Sequence, residues 1–375
     1  MILSVKRHYF PGNNTPLGFF SYYKHILGQR EANKIICIKG GPGTGKSTFM
    51  KRIAEYFSAQ DEDIDYLHCS ADADSIDGIV LKNRRTAIID GTSPHITDPV
   101  TPGAVDKIVN LGEFWDEDAI SLNKNKIIDL NEETSRWYRI AYNYLNAAKS
   151  VYRSLEEVYN KAAENSEIYK LIAGIIGTEY NSLEISLRPG KRKKFFASAI
   201  TGEGIINYIT TLLEGMERIY MISSPVGYSN SSFMEIITEG AVYRGFDVEA
   251  YYCSMCPEEK VEHIVIPQLK TAFVTVNSYH DIEPWEISSA LENEQEIILI
   301  DMNDYMNVLD IKKNENLIET LNEEYDILIN KGIKNLAFAY KTHLKVEGMY
   351  IPNMNFVKMA GLRERLQEEL KNISI

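Results

Sequence analysis

The chain has 375 residues and a formal net charge of −13 at neutral pH. Apolar residues make up 44% and charged residues 25%, a mixture typical of globular proteins, so the length indicates two domains rather than a disordered chain. The acidic balance argues against nucleic acid as a partner, and no apolar run is long enough to cross a membrane. Four cysteines and a start without the apolar stretch of a secretory signal lead us to expect a cytoplasmic protein.

A glycine-rich loop follows the first apolar strand. Residues Gly40 to Thr48 read GGPGTGKST and precede a helical pattern. They fit G-x-x-x-x-G-K-[ST], the Walker A motif, in which backbone N–H groups and a helix N-terminus hold phosphate oxygens. Lys46 is expected to reach the β- and γ-phosphates and Ser47 to bind Mg²⁺. The predicted nucleotide contacts are Gly41, Pro42, Gly43, Thr44, Gly45, Lys46, Ser47 and Thr48. A glycine-rich turn without a ligand is the alternative.

Asp90 ends a later apolar strand, TAII. A carboxylate at a strand tip beside such a loop is where a Mg²⁺-holding aspartate is expected, so Lys46 and Asp90 are the predicted catalytic residues and Ser47 and Asp90 the predicted metal contacts. A turn aspartate before Gly91 is the alternative. No Glu follows Asp90 and no N-K-x-D motif occurs, which favours slow hydrolysis and ATP over GTP.

Other polar residues near the strand ends are weaker candidates. His95 could contact phosphate, and a hydrogen bond that closes its turn is an equal alternative. Asp72, Asp74 and Asp77 follow another strand, and we interpret them as a solvated loop rather than a substrate site.

A long helical segment follows, with neither Gly nor Pro between Gly112 and Gly174. Its apolar residues step by alternating threes and fours, which is typical of a coiled-coil seam. The predicted seam comprises Ile127, Leu130, Thr134, Trp137, Ala141, Tyr144, Ala148, Val151, Leu155, Val158 and Ala162. We expect a helical hairpin at about 119–180, to which a protein partner could dock, and a comparable appendage in the second half.

The second half of the chain repeats the first. Thr15, Gly18 and Tyr22 recur as Thr201, Gly204 and Tyr208. Strands separated by helices predict an α/β fold with a mainly parallel sheet in each half. We therefore predict two tandem P-loop NTPase domains, at 1–188 and 189–375, flanked by helices and carrying long helical hairpins.

The glycine-rich loop has decayed in the repeat. Asn230 stands where the first half has Lys46, Ser229 replaces Gly45, and Thr275 replaces Asp90. Losing the lysine and the carboxylate predicts no Mg²⁺-nucleotide hydrolysis in the second half, whose serines could still hold an anion. We expect this regulatory half to complete the first site, with Lys260, Lys270 or Arg218 as candidate cations.

Two families share these motifs. The loop, with the later Asp90-Gly91 and Pro94, resembles nucleoside-monophosphate kinases, whose pattern is GGPGSGKGT followed by DG-x-P-R. His95 stands where those kinases have arginine, and the segment from Ser70 to Thr86 is shorter than theirs.

Over its entire length the chain is similar to a bacterial family of tandem P-loop ATP-binding proteins. The shared motifs are F-x-x-x-x-T-x-x-G-x-x-x-Y at 10–22, the loop itself, DGT-x-PH at 90–95 and PGAVD at 102–106. That resemblance implies ATP and Mg²⁺ as ligands. The expected function is a slow Mg²⁺-dependent ATPase that acts as a switch; a small-molecule or nucleotide kinase and a non-hydrolysing nucleotide-sensing scaffold are the alternatives.

Overall fold

The computed structural model describes residues 4–94, 96–180, 185–228, 231–291 and 295–373. The first half contains, in chain order, β1 (Lys6–Tyr9), β2 (Gly12–Thr15), β3 (Gly18–Ser21), β4 (Lys34–Lys39), α1 (Lys46–Ser58), β5 (Ile64–His68), β6 (Ile76–Leu81), β7 (Thr86–Asp90), β8 (Asp106–Asn110), α2 (Glu117–Ser121), α3 (Lys124–Ala162) and α4 (Asn165–Glu179).

The second half contains β9 (Arg192–Phe195), β10 (Ser198–Thr201), β11 (Gly204–Asn207), α5 (Ile209–Leu212), β12 (Arg218–Ser223), α6 (Ser231–Tyr243), β13 (Val248–Tyr252), β14 (Val261–Ile266), β15 (Thr271–Val276), α7 (Pro284–Ala290), β16 (Glu296–Asp301), α8 (Val308–Lys313), α9 (Glu315–Tyr350) and α10 (Phe356–Lys371).

Two six-stranded sheets have the same strand order. The first runs β1-β5-β6-β7-β4-β8 and the second β9-β13-β14-β15-β12-β16, so each strand has its repeat partner at the same place. Most neighbouring strands are parallel, which confirms the α/β class. β6 and β14 run antiparallel to both neighbours, so the sheets are mixed. The short connections on either side of β6 explain this, because a parallel crossover needs about a dozen residues or more.

Both faces of the first sheet are buried. Ile36 and Ile38 of β4 lie in one apolar cluster with α1, whereas Ile35 and Cys37 belong to another cluster that also contains Met221 of the second sheet. The continuous apolar run of β4 thus reflects burial on two sides. One sheet therefore shares a core with the other.

The longest helices pair with each other across the two halves. Leu145 of α3 packs on Gly332 of α9, and the rings of Tyr152 and Tyr325 lie 5.8 Å apart. The predicted hairpin within each half is wrong in this respect, because α9 is the partner of α3 and the two run antiparallel. The stripe proposed for a protein partner is occupied by α9.

Every second residue of the predicted α3 seam is confirmed, because Ile127, Thr134, Ala141, Ala148, Leu155 and Ala162 are buried. From Tyr144 on, the positions between them differ from the prediction by one residue. Leu145, Tyr152 and Tyr159 are buried, whereas the predicted Tyr144, Val151 and Val158 are only half-buried. Both sets keep the heptad spacing. The hydroxyl of Tyr152 has a partner in Lys260, which lets this tyrosine lie inside the pair.

The helices that end each half are exchanged. Ile172 of α4 belongs to the apolar cluster that contains Phe233 of α6, and Leu366 of α10 to the cluster that contains Phe57 of α1. Each terminal helix thus covers the sheet of the other half. The domain limits 1–188 and 189–375 stay a prediction about the repeat in the sequence.

Candidate nucleotide site

The loop between β4 and α1 folds around two left-handed glycines. Gly43 has φ +66° and Gly45 has φ +79°, and Gly45 is the residue that precedes α1. Other residues adopt this backbone region only at a cost. The hydroxyl of Thr44 donates to the carbonyl of Gly41 at 2.9 Å, which holds the loop closed on itself.

Lys46 lies between this loop and the end of β7. Its ammonium donates to the carbonyls of Gly40 and Gly41 at 3.0 and 2.9 Å. The same Nζ lies 3.6 Å from Oδ2 of Asp90. The structure therefore brings together the cation and the carboxylate that the sequence places in separate motifs.

Asp90 makes the contacts of a turn aspartate and also faces the glycine-rich loop. Oδ1 accepts hydrogen bonds from the backbone N–H and the hydroxyl of Thr92, at 2.8 and 2.5 Å, as a turn aspartate does. Oδ2 forms the ion pair with Lys46. One oxygen therefore fixes the side chain, and the other is directed towards the loop.

Ser47 and Thr48 occupy the first turn of α1. The hydroxyl oxygen of Ser47 accepts a hydrogen bond from the backbone N–H of Ile76 at 3.0 Å, which ties α1 to the start of β6. Its own hydrogen is left to donate elsewhere. Thr48 is exposed, and Pro42 is half-buried in the loop.

The prediction that Asp77 lies in a solvated loop is wrong. Asp74 is exposed in the loop, as expected, but Asp77 lies inside β6 and is 5% exposed. Gly78 pairs with Ile89, so Asp77 and Asp90 follow at the same end of the β6–β7 pair, where β6 has an irregularity in its register. The apolar run of IDGIVL was the signal for a strand here. Burial and the neighbouring Asp77 raise the pKa of Tyr23.

The second half forms a wall of this site. A Cβ on Gly43 would lie 2.9 Å from the carbonyl oxygen of Glu347, and one on Gly41 would lie 3.2 Å from the ring of Tyr350. Gly45 faces Phe356 of α10. The loop is therefore enclosed by the end of α9 and the start of α10.

Ionisable side chains of α9 extend along the same wall. His343 Nε2 lies 3.6 Å from Oε1 of Glu347. Burial and the Lys46 ammonium hold the pKa of His343 below its usual value, against the opposing effect of Glu347. Burial and Asp72 raise the pKa of Tyr340 to about 12. These residues carried no motif that sequence reasoning could use.

The cations expected to complete the site lie elsewhere. Lys260 is buried against Tyr152, and Lys270 pairs with Glu217. Arg218 pairs with Glu179 at 2.9 Å and with Glu296 at 2.8 Å. Their described contacts do not include the loop of the first half.

In the second half, the loop that corresponds to the glycine-rich loop is covered by a long helix as well. A Cβ on Gly227 would lie 2.6 Å from Leu155 of α3, so each long helix covers the loop of the other half. Thr275, at the place of Asp90, donates its hydroxyl hydrogen to the carbonyl of Glu262 at 2.7 Å. Ser229, Asn230 and His95 lie outside the described residues.

Comparison with known proteins gives one partial match. The model of the family described as Nephrocystin 3, N-terminal, matches residues 21–80, a range that contains the whole glycine-rich loop and Asp77 but ends before Asp90. Neither the curated proteins nor the solved structures yielded a match to the chain. Among the described residues, no helix is both long and apolar enough to span a membrane.

Proposed function

We propose that this protein binds ATP with Mg²⁺ at the first-half loop and hydrolyses it slowly. The observation that carries the proposal is the ion pair of Lys46 with Asp90 beside a loop whose backbone turns at two left-handed glycines. An ammonium group, a helix N-terminus and turned backbone amides form the usual receptor for a polyphosphate. In this reading both halves are P-loop NTPase repeats in one cytoplasmic protein, and the second has lost its hydrolytic residues.

The oxygen donors at this site suit Mg²⁺. The hydroxyl of Ser47 and the carboxylates of Asp90 and Asp77 belong to neighbouring elements, and Mg²⁺ prefers hard oxygen ligands. Bound there, the ion would neutralise charge on the phosphates. Asp77 also supplies a buried carboxylate at the strand end that carries Asp90, and, besides burial, both carboxylates lie close enough to Tyr23 to raise its pKa. The sequence showed no glutamate next to Asp90. We assign to Asp77 the positioning of water or of the metal ion.

The wall formed by α9 gives the site a means of signalling. Phosphates that enter the loop compete with the Gly40 and Gly41 carbonyls for Lys46, and they bring negative charge close to the backbone carbonyl of Glu347, at the partially negative C-terminal end of α9. Like charges in a confined site repel, so we expect the end of α9 to move when ATP binds. Because α9 packs along α3, and α3 covers the second loop, this motion connects the two halves.

Phosphate release from ATP tests the proposal. We expect Mg²⁺-dependent release of phosphate by the intact protein, lost in Lys46→Ala and reduced in Asp77→Asn. Transfer of labelled phosphate to an added small molecule, faster than release to water, would show a kinase instead. Binding without turnover would show a nucleotide-sensing scaffold.

A further inference from the structure

The degenerate half has a small, partly open cavity of its own. The cavity has a volume of about 40 Å³ and lies between Gly227 of the second loop, β14 and α3. Most of its lining is apolar, but four buried polar residues also line it: Lys260, Ser254, His280 and Glu262.

Lys260 has an unusual environment for a lysine. The residue is 5% exposed, and its ammonium donates to the carbonyl of Tyr228 at 2.9 Å and to the hydroxyl of Tyr152 at 2.6 Å. No described carboxylate lies within ion-pair distance of it, in contrast to Lys46 beside Asp90. A buried charge is costly unless a counter-charge is near. The third ammonium hydrogen remains for a ligand.

Two further polar residues line the same cavity. Ser254 accepts a hydrogen bond from Asn13 at 2.8 Å, which leaves its hydroxyl hydrogen free to donate. His280 is 4% exposed, and its Nε2 is hydrogen-bonded to the hydroxyl of Ser198 at 2.9 Å. An ammonium and a hydroxyl that can donate, together with an imidazole ring, thus line one space.

The size of the cavity limits the ligand. One water needs about 10–15 Å³ of such volume, so the cavity has room for about three waters. That is the scale of a tetrahedral oxyanion.

A metal ion is the competing occupant. Donor atoms of Glu262, His263 and His280 lie within 4.8 Å of one another. However, Nδ1 of His263 accepts the backbone N–H of Thr275 at 3.2 Å, so its Nε2 carries the proton and has no lone pair for a metal. The nearby ammonium of Lys260 also repels a cation.

We propose that this cavity binds a small oxyanion of the phosphate class, with Lys260 supplying the positive charge that the second loop lost with its lysine. The proposal concerns a site separate from the ATP site. Glu262 lies in the same lining, 3.9 Å from His280 Nε2, and its charge opposes the anion. Removing that charge should therefore strengthen binding.

Calorimetric titration with inorganic phosphate tests this in full-length Lys46→Ala, which removes the first-half lysine. We expect one phosphate site per chain. Adding Lys260→Met should weaken phosphate binding by about tenfold or more. Lys270→Met, at an exposed lysine of the same half, is the matched control and should change nothing. Glu262→Gln should tighten binding, and it keeps the proposal testable if Lys260→Met fails to fold.

Other outcomes would overturn the proposal. If Lys46→Ala does not bind phosphate but binds Zn²⁺, and Glu262→Gln abolishes that binding, the cavity is a cation site. If Lys46→Ala binds ATP more tightly than phosphate in a Lys260-dependent way, the site takes a nucleotide. If Lys46→Ala binds neither phosphate nor Zn²⁺, the cavity has no ion site. The expected outcome, weakened ATP binding with retained phosphate binding, separates the two proposed sites.

Discussion

The ammonium of Lys46 lies 3.6 Å from Oδ2 of Asp90, although one residue begins a helix and the other ends a strand. The parallel pairing of β4 with β7 produces this contact, because it brings Asp90 level with Ile38 at the edge where the loop leaves the sheet. The two groups therefore face the same space above the loop. A phosphate with its metal ion would be bound between them.

Replacing Lys46 with alanine should weaken ATP binding. The change removes a charged contact worth about 1.5–3 kcal/mol, which corresponds to about 10- to 150-fold in affinity. Arg52→Ala, at an exposed position of the same helix, is the matched control and should bind normally. An unchanged affinity of Lys46→Ala, measured by calorimetry, would place the nucleotide elsewhere.

Replacing Asp90 with asparagine should affect turnover far more than binding. An asparagine oxygen can still accept from the Thr92 N–H, so the turn and the melting temperature should persist. The lost charge should slow hydrolysis by about tenfold or more, or about 1.4 kcal/mol in the barrier. Asp98→Asn, which alters an exposed carboxylate, serves as the control. Equal losses of affinity and turnover, with a lower melting temperature, would assign Asp90 to the turn alone.

Two glycines of α9 test the pairing of the long helices. A Cβ on Gly332 would lie 2.7 Å from Leu145, whereas Gly348 has nothing within 4 Å. Gly332→Ala should therefore destabilise the protein by about 1–3 kcal/mol, and Gly348→Ala should stabilise it by up to about 1 kcal/mol. Denaturant unfolding measures both. The double variant Leu145→Ala with Gly332→Ala should be less destabilised than the sum of the single changes, and strict additivity would contradict the contact.

A buried ion-pair network should make stability depend on pH. Arg7 contacts Asp65 at 3.0 Å and Glu249 of the second half at 2.8 Å. Burial alone would raise the pKa of both carboxyl groups, but the positive charges of Arg7 and, to a smaller extent, Lys82 outweigh burial and lower both pKa values. A depressed folded-state pKa stabilises the protein above the unfolded values near about 4, and this stabilisation is lost as the pH falls further.

Arg7→Met separates this effect from general acid unfolding. At neutral pH it should cost up to about 3–5 kcal/mol, because two buried carboxylates lose the Arg7 guanidinium, while Lys82 remains 3.5 Å from Asp65. The difference from wild type should shrink below about pH 4, where the carboxylates become protonated. Lys6→Met, at an exposed neighbour, is the control. Denaturant unfolding of wild type and Arg7→Met from neutral pH to below about pH 4 measures this difference in unfolding free energy. A difference that does not change with pH would contradict the network.

The glycine-rich loop and the strand end at Asp90 could be predicted from the sequence, because each depends on a few consecutive residues. Gly43 and Gly45 reveal their backbone requirement in the motif, and the apolar run before Asp90 indicates the end of a strand. Asp77 could have been placed as well, since the link before β6 is too short for a parallel crossover.

The wall of the site could not be predicted in this way. Periodicity shows that α3 and α9 each have an apolar stripe, but it does not show which stripe covers which. The contact of Glu347 with Gly43 depends on which of these helices pack together and on the packing of α10 against the first half. Likewise, Tyr152 is buried where the sequence predicts Val151, and its hydroxyl is hydrogen-bonded to Lys260 from a distant part of the chain.

The number of ATP sites per chain tests the central claim most directly. Calorimetric titration of the full-length protein with a non-hydrolysable ATP analogue and Mg²⁺ should give one site, because the first half alone combines Lys46, Ser47 and Asp90. The same titration of Lys46→Ala should give a greatly weakened isotherm. Two equivalent sites, or one site unaffected by Lys46→Ala, would contradict the assignment of ATP to the first-half loop.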